Sequence, residues 1–259
     1  MKFGSVFLLV TGIFFLFFQV SPVNSAENPL PFIHGERLTF KVKWVFIPAG
    51  EAVLEVMSPE VLNGVNVNHF RMTARTYDYI DPIYKVRDQV DAFTDIGMNH
   101  ALLYLIQAKG KEKKDVVVNF DWEKKQAFFS DFGNKQDPIK ILPNSFDPLS
   151  VFHAFRLFDL KEGAGLKVAV SDGKKSVMGG AKVIKQEKIE VPAGIFKTFL
   201  VEPELEHIGG VFRKSKNAKL QIWVTADKSH IPVRIKSKVV VGSFVAELID
   251  AQNIDLNLP

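Results

Sequence analysis

Cysteine is absent from all 259 residues. That excludes a disulfide framework, a lipid-modified lipoprotein cysteine and a thiol nucleophile. Long apolar runs are also missing once the first twenty-odd residues are passed, so no later segment reads as a membrane-spanning helix. No Gly-x-Ser-x-Gly elbow, phosphate loop or dinucleotide fingerprint follows any strand-like run. The histidines (His34, His69, His100, His153, His207 and His230) are scattered, and none forms a zinc-like pair. Charge of one sign is scarce, the net value being +4. The excess sits in turn-like segments: Lys109–Lys114, Lys124-Lys125, Lys174-Lys175 and Arg213–Lys219. Solubility and protection of strand ends explain it, with mild attraction to anionic lipid or lipopolysaccharide headgroups as the sharper reading. No basic helix or aromatic-basic stripe appears, which argues against a nucleic-acid partner.

The chain opens with Met1-Lys2, an apolar run from Phe3 to Val20, a Ser21-Pro22 break, and small residues at Ser25 and Ala26. A basic start, an apolar middle and a small-residue exit predict a secretory signal peptide over 1–25 and a periplasmic mature protein. Retention as an anchor is the competing reading. Residues 26–259 are expected to form a single β-barrel-like domain, long enough to bury a core without disulfides.

Two matching segments punctuate that domain. Ile47-Pro48-Ala49-Gly50 is expected to turn Leu38–Phe46 back into Glu51–Val56, and Val191-Pro192-Ala193-Gly194 to turn Lys182–Glu190 back into Phe196–Val201. The pair raises internal duplication on a match of four residues. Elsewhere alternation dominates. Leu38, Phe40, Val42 and Trp44 face one way while Arg37, Thr39, Lys41 and Lys43 face the other. Asn63-Gly64 reads as a tight hairpin, and Tyr84, Val86, Asp88 and Val90 as one face of a strand. About a dozen strands are expected, mainly β, in an antiparallel meander forming a curved sheet or barrel. One segment breaks the pattern. Asp147 can cap and Pro148 can start a helix near 148–160, apolar on nearly every side and therefore expected to be buried.

Acids cluster at Asp78, Asp81, Asp88, Asp91 and Asp95. Paired carboxylates can hydrolyse glycans, but a buried ion pair is the preferred reading, with Asp88 partnered from Arg75, Arg87 or Arg156. His153, on the apolar helix, is read as a hydrogen-bonded core residue. The chain holds 23 phenylalanines. Ordinary core packing accounts for them; the functional alternative is an apolar cavity lined by Trp44, Phe46, Tyr84, Phe152 and Phe155, with Arg156 anchoring a polar head.

Three blocks carry a resemblance. The first is Gly35-Glu36-Arg37-Leu38-Thr39-Phe40 with Val42, Trp44 and Ile47-Pro48-Ala49-Gly50-Glu51-Ala52. The second is Asp147-Pro148-Leu149-Ser150 with Arg156. The third is Ile222-Trp223-Val224, Asp227, Ile231-Pro232-Val233-Arg234-Ile235 and Gly242-Ser243-Phe244 with Ala246 and Leu248. Together they resemble the bacterial domain-of-unknown-function family 3108, exported envelope proteins, over about Phe32 to Leu248. Phe40 stands where that family often has tyrosine, and His153-Ala154 where it often has aromatics. The resemblance implies export and a β-rich fold, and it supplies no catalytic residue or cofactor.

The expected function is non-catalytic binding or carrying of a hydrophobic or amphipathic envelope molecule. The alternatives are an envelope assembly factor acting through protein contacts, and a glycan or lipid hydrolase using Asp88, Asp91 or Asp95.

Overall fold

The computed structural model describes residues 30–205, 218–239 and 242–254. The expected signal segment 1–25, His207 and most of the Arg213–Lys219 run lie outside the described residues.

The first limb contains β1 (Arg37–Trp44), β2 (Ile47–Val56), β3 (Glu60–Leu62), β4 (Val65–Thr76), β5 (Arg87–Asp95), β6 (Ala101–Lys109), β7 (Lys113–Asp121), β8 (Gln126–Asp131), β9 (Asn134–Lys135) and β10 (Ile139–Lys140). A short helix α1 (Ser150–Ala154), continued by a 3-10 turn Phe155–Leu157, separates it from the second limb. That limb holds β11 (Gly165–Ser171), β12 (Ser176–Val191), β13 (Gly194–Pro203), β14 (Lys219–Thr225), β15 (Pro232–Val239) and β16 (Gly242–Gln252). All belong to one 16-stranded antiparallel sheet ordered β10-β8-β7-β6-β5-β4-β2-β1-β16-β15-β14-β13-β12-β11, with β3 on β4 and β9 on β8. The first and last long strands join the limbs, β1 pairing β16 with Phe40 opposite Leu248.

The sheet is open, and a single segment manages both of its free edges. Ile139-Lys140 pairs with β8, and a few residues later Phe146 bridges β11, donating its amide to Ala169 at 2.9 Å and accepting from Ser171 at 2.8 Å. Part of the β8 and β11 edges is thereby paired without closure. The β11–β12 turn leans on the first limb: Lys174 Nζ lies 4.1 Å from the Phe129 ring centre, and a Cβ on Gly173 would stand 2.7 Å from Val118 Cγ1.

Register explains the core. Val56, Phe70, Ala92, Tyr104, Val118 and Phe129 are successive cross-strand partners, so all face one side, and all are buried. Phe40, Val90, Leu248 and the helix residues Leu149 and Ala154 join the same cluster. The opposite face carries ion pairs such as Lys43–Glu247 at 2.7 Å and Arg71–Asp91 at 2.7 Å.

Several expectations change. Asn63-Gly64 turns as expected, both residues having positive φ (51° and 82°), which suits the twist of a two-residue hairpin. Pro192-Ala193 also forms the expected hairpin. The first Pro-Ala-Gly does not. The chain turns earlier, at Val45-Phe46, and Pro48-Ala49-Gly50 lies inside β2, where Val42 pairs Gly50 but Lys43 pairs Pro48, leaving Ala49 as a bulge. Gly50 is bare because β4 passes too close: a Cβ would stand 2.1 Å from the Arg75 carbonyl oxygen. Gly194 instead has φ 141°. One motif thus serves two geometries, which removes the turn match as a sign of duplication. The strand expected from Tyr84 begins only at Arg87, because Tyr77–Val86 loops over the sheet end.

Candidate functional site

The helix is shorter than the expected 148–160, and it is buried on one side only rather than all round. Asp147 starts it: Oδ1 accepts the amides of Leu149 and Ser150 at 2.8 Å each, and Oδ2 accepts the Ser150 hydroxyl. Burial pushes the Asp147 carboxyl up to about 6, against the pull of those hydrogen bonds. The fully buried side carries Ser150, His153, Ala154 and Arg156, whereas Val151, Phe152 and Phe155 are only half-buried. An amphipathic helix normally does the reverse.

Arg156 accounts for the polar side. It is 4% exposed and its partner Glu36 is 1% exposed. The guanidinium forks onto both Glu36 carboxylate oxygens and also donates to the Pro31 and Ser229 carbonyls, each at 2.8 Å. Ser229 is presented by a turn that Asp227 fixes by accepting its amide at 2.8 Å and the Thr225 hydroxyl at 3.0 Å. The three sequence blocks noted above, through Glu36, Arg156 and Asp227, therefore meet in one clamp. A bidentate arginine that also donates to two carbonyls is the form in which a buried charge is tolerated. The expected Arg156–Asp88 pair does not form. Asp88 sits between Ala74 and Ala108 in the register of β4–β5–β6, raised by burial, and Lys114 is the cation that opposes that rise. Arg87 pairs with Asp81 at 2.7 Å instead, and Arg75 with Glu51 at 3.4 Å.

His153 also departs from expectation. It is 2% exposed, stacked on Phe70 at 4.0 Å and edge-on to Phe32, and neither ring nitrogen has a hydrogen-bond partner. Burial, then the Arg156 charge, hold its ring well below the ordinary 6.5, so it is neutral.

The half-buried apolar side of the helix faces a cavity of about 390 Å³. Val151, Phe152 and Phe155 form one wall. Leu166 and Val170 of β11, Val177 and Ala181 of β12, Val201 of β13, and Leu220, Ile222 and Val224 of β14 form the others. Polar groups edge it: Asp172, Lys175, Glu204, His230 and the Arg156 stem. Gly180 makes room for one of them, since a Cβ there would stand 2.1 Å from Glu204 Oε2. The volume falls within the roughly 300–1,000 Å³ of small-ligand sites. A second recess of about 380 Å³ lies between Leu157, Phe158 and the Lys167–Ala169 stretch, with Asn99 and Asn144 in its lining.

Of the expected lining residues, Phe152, Phe155 and Arg156 come together here, with Arg156 held by Glu36 rather than free for a headgroup. Trp44 shares a sheet face and cross-strand row with Leu220, through Phe244 and Ser237, but stands three strands away. Phe46 is 89% exposed on the β1–β2 tip, and Tyr84 lies on the 77–86 loop with its hydroxyl 3.2 Å from Glu112. Those three do not line the cavity, because β1 ends two residues before Phe46 and β5 starts after Tyr84. The strand residues of the cavity went unassigned in the sequence reading; the Leu220, Ile222, Val224 alternation was their visible signal.

The acids do not assemble for hydrolysis. His69 bridges Glu60 at 2.6 Å and Asp91 at 2.7 Å, and Asp91 also accepts from Arg71 and Gln89 at 2.7 Å. Burial pulls the Asp91 pKa upward, but those bonds prevail and hold it at about 2. Asp95 accepts the Asn99 and His100 amides in the β5–β6 turn. None of these acids lines the cavity. Among the described residues no group of three or more His, Cys, Asp or Glu side chains is arranged to hold a metal ion.

An open antiparallel sheet, curled and plugged by a clamped helix, defines a β-barrel-like protein. The chain belongs to the family described as protein of unknown function (DUF3108), whose model matches residues 39–249. Among solved structures it is similar to a β-barrel-like protein of the domain of unknown function DUF1849 from Brucella abortus, at TM-score 0.51 and 10% identity, covering 83% of this chain and 96% of that one. It also aligns with a protein from Bacteroides fragilis described as exported with a YmcC-like fold (TM-score 0.39, 10% identity, 86% and 98% covered). A third alignment is with one from Parabacteroides distasonis described as a lipoprotein (0.34, 11%, 85% and 96%). No curated protein matches the chain significantly. Among the described residues no helix is long and apolar enough to cross a membrane.

Proposed function

We propose that this protein binds a hydrophobic or amphipathic molecule of the cell envelope, without altering it, in the cavity between α1 and β11–β14. One observation carries the reading: the helix turns its aromatic side toward an apolar cavity and its polar side into the protein. Buried polar groups cost free energy, so this orientation needs the Glu36–Arg156 clamp to hold it. Phe152 and Phe155 touch the core cluster and still present part of their surface to that cavity.

The expected signal peptide and periplasmic location fit such a role, since envelope amphiphiles are met there. The test is titration with an anilinonaphthalene dye, alone and in competition with long-chain fatty acid. Saturable dye binding, lost when Ile222→Trp or Val177→Phe fills the cavity without lowering the melting temperature, supports the proposal. Dye binding unchanged in both filled variants removes it and favours the assembly reading.

A further inference from the structure

The sheet end remote from the Arg156 clamp carries features the cavity does not use. The β1–β2 tip exposes Phe46 (89%) and Ile47 (50%), and the 77–86 loop exposes Tyr79 and Ile83, each at 61%. These side chains belong to one contiguous rim. The Tyr79 hydroxyl donates to the Pro48 carbonyl, and the Tyr77 amide donates to Ala49 at 3.0 Å. The rim then runs on to the β6–β7 turn, where the Lys111 amide donates to Lys85 at 2.8 Å and Lys111 Nζ lies 5.3 Å from the Tyr84 ring centre.

That turn is basic. Lys109, Lys111, Lys113 and Lys114 are exposed, against Glu112 and Asp115. On the neighbouring loop Asp81 is occupied by Arg87, and Asp78 is its exposed acid. Exposed aromatic and aliphatic side chains at turns, with lysines on the neighbouring turn, match the layering of a lipid interface. The apolar groups sit on turns and a loop at the end of the sheet rather than on its face.

We propose that this rim docks on the surface of an anionic lipid bilayer, Phe46, Ile47 and Ile83 entering the headgroup region while Lys111, Lys113 and Lys114 meet lipid phosphates. The inference does not depend on the cavity, and a protein that fails to bind dye still docks.

The experiment is co-sedimentation of the exported chain, purified from the cell that makes it and with its N-terminus read by mass spectrometry. Vesicles of phosphatidylglycerol and phosphatidylethanolamine are compared with vesicles of phosphatidylcholine alone. The expected result is preferential binding to the anionic vesicles. It weakens about tenfold or more in Phe46→Ser/Ile83→Ser, as loss of two apolar anchors requires. It also falls when salt rises from about 0.1 M to about 1 M, where the screening length drops to about 3 Å. Ile195→Ser, at an exposed residue of the opposite hairpin end, leaves it unchanged. Each of three results overturns the proposal: no binding to anionic vesicles, binding insensitive to Phe46→Ser/Ile83→Ser in a variant that melts like the parent, or a vesicle-free dimer that those substitutions dissolve, which makes the rim a self-interface.

Discussion

His153→Leu should stabilise this protein, and the gain should grow as the solution is acidified. The ring is buried with both nitrogens unpartnered. An unsatisfied buried polar group costs about 1–3 kcal/mol, and stacking on Phe70 returns about 0.5–1.5 kcal/mol, so near neutrality the net gain is about 1 kcal/mol. Acid adds to it. The folded His153 pKa lies well below the 6.5 of the unfolded chain, so as pH falls the unfolded state takes up the proton first. The stability His153 has above pH 6.5 is therefore lost progressively as pH falls below it. Asp147 has the opposite sign. Its folded value of about 6 stands above 3.8, so its contribution is full below pH 3.8 and is lost as pH rises through 6. In the parent the two effects oppose each other between pH 6 and pH 4.5. In His153→Leu the Asp147 effect stands alone, and stability rises on acidification over that window. Urea melts at half-unit pH steps read this directly. A parent-to-variant difference that stays constant from pH 7 to 4.5, or a variant less stable throughout, would refute the reasoning by showing that the ring has a partner.

The clamp gives a second expectation. Glu36→Leu or Arg156→Met alone should cost about 3–5 kcal/mol by leaving one buried group uncompensated, while Glu36→Leu with Arg156→Met should recover much of that loss, read as the coupling in a double-mutant cycle by denaturant unfolding. Gly50→Ala should destabilise by about 1–3 kcal/mol, since the intruding Cβ meets backbone that must move, whereas Lys228→Ala on the exposed β14–β15 turn should fall within about 0.5 kcal/mol; thermal melts compare them. Asp91, held near 2 and therefore stabilising above pH 3.8, should make Asp91→Asn less stable at neutral pH, with the gap to the parent narrowing as pH falls from 3.8 toward 2 in acid titrations of unfolding.

Much of the sheet was legible because its signal is local. Period-two alternation in Leu38–Trp44 or Leu220–Val224 reports one dry face per strand, and Asn63-Gly64 states its own turn geometry. Pairing of chain neighbours follows the expected antiparallel meander, but the β1–β16 junction was not legible, since it joins residues some two hundred positions apart. The Pro-Ala-Gly comparison misled for a physical reason: glycine is required both by an unusual φ, as at Gly194, and by close backbone approach, as at Gly50, and sequence does not distinguish them. The helix misled in the same way. Its apolar content suggested burial, but which side turns inward depends on Glu36, more than a hundred residues earlier. Phe152 and Phe155 were found because aromatics on a lone helix in a β protein need a surface. Trp44, Phe46 and Tyr84 belong to the other end because strand termini, not composition, decide where side chains gather.

The central claim is that the space beside α1 holds an amphiphile. Its most direct test is native mass spectrometry of the protein purified gently from the cell that makes it, beside Ile222→Trp prepared identically and shown to melt like the parent. A stoichiometric lipid-like mass on the parent, absent from the filled variant, is the predicted result. An empty parent, or the same mass on both proteins, would contradict the account.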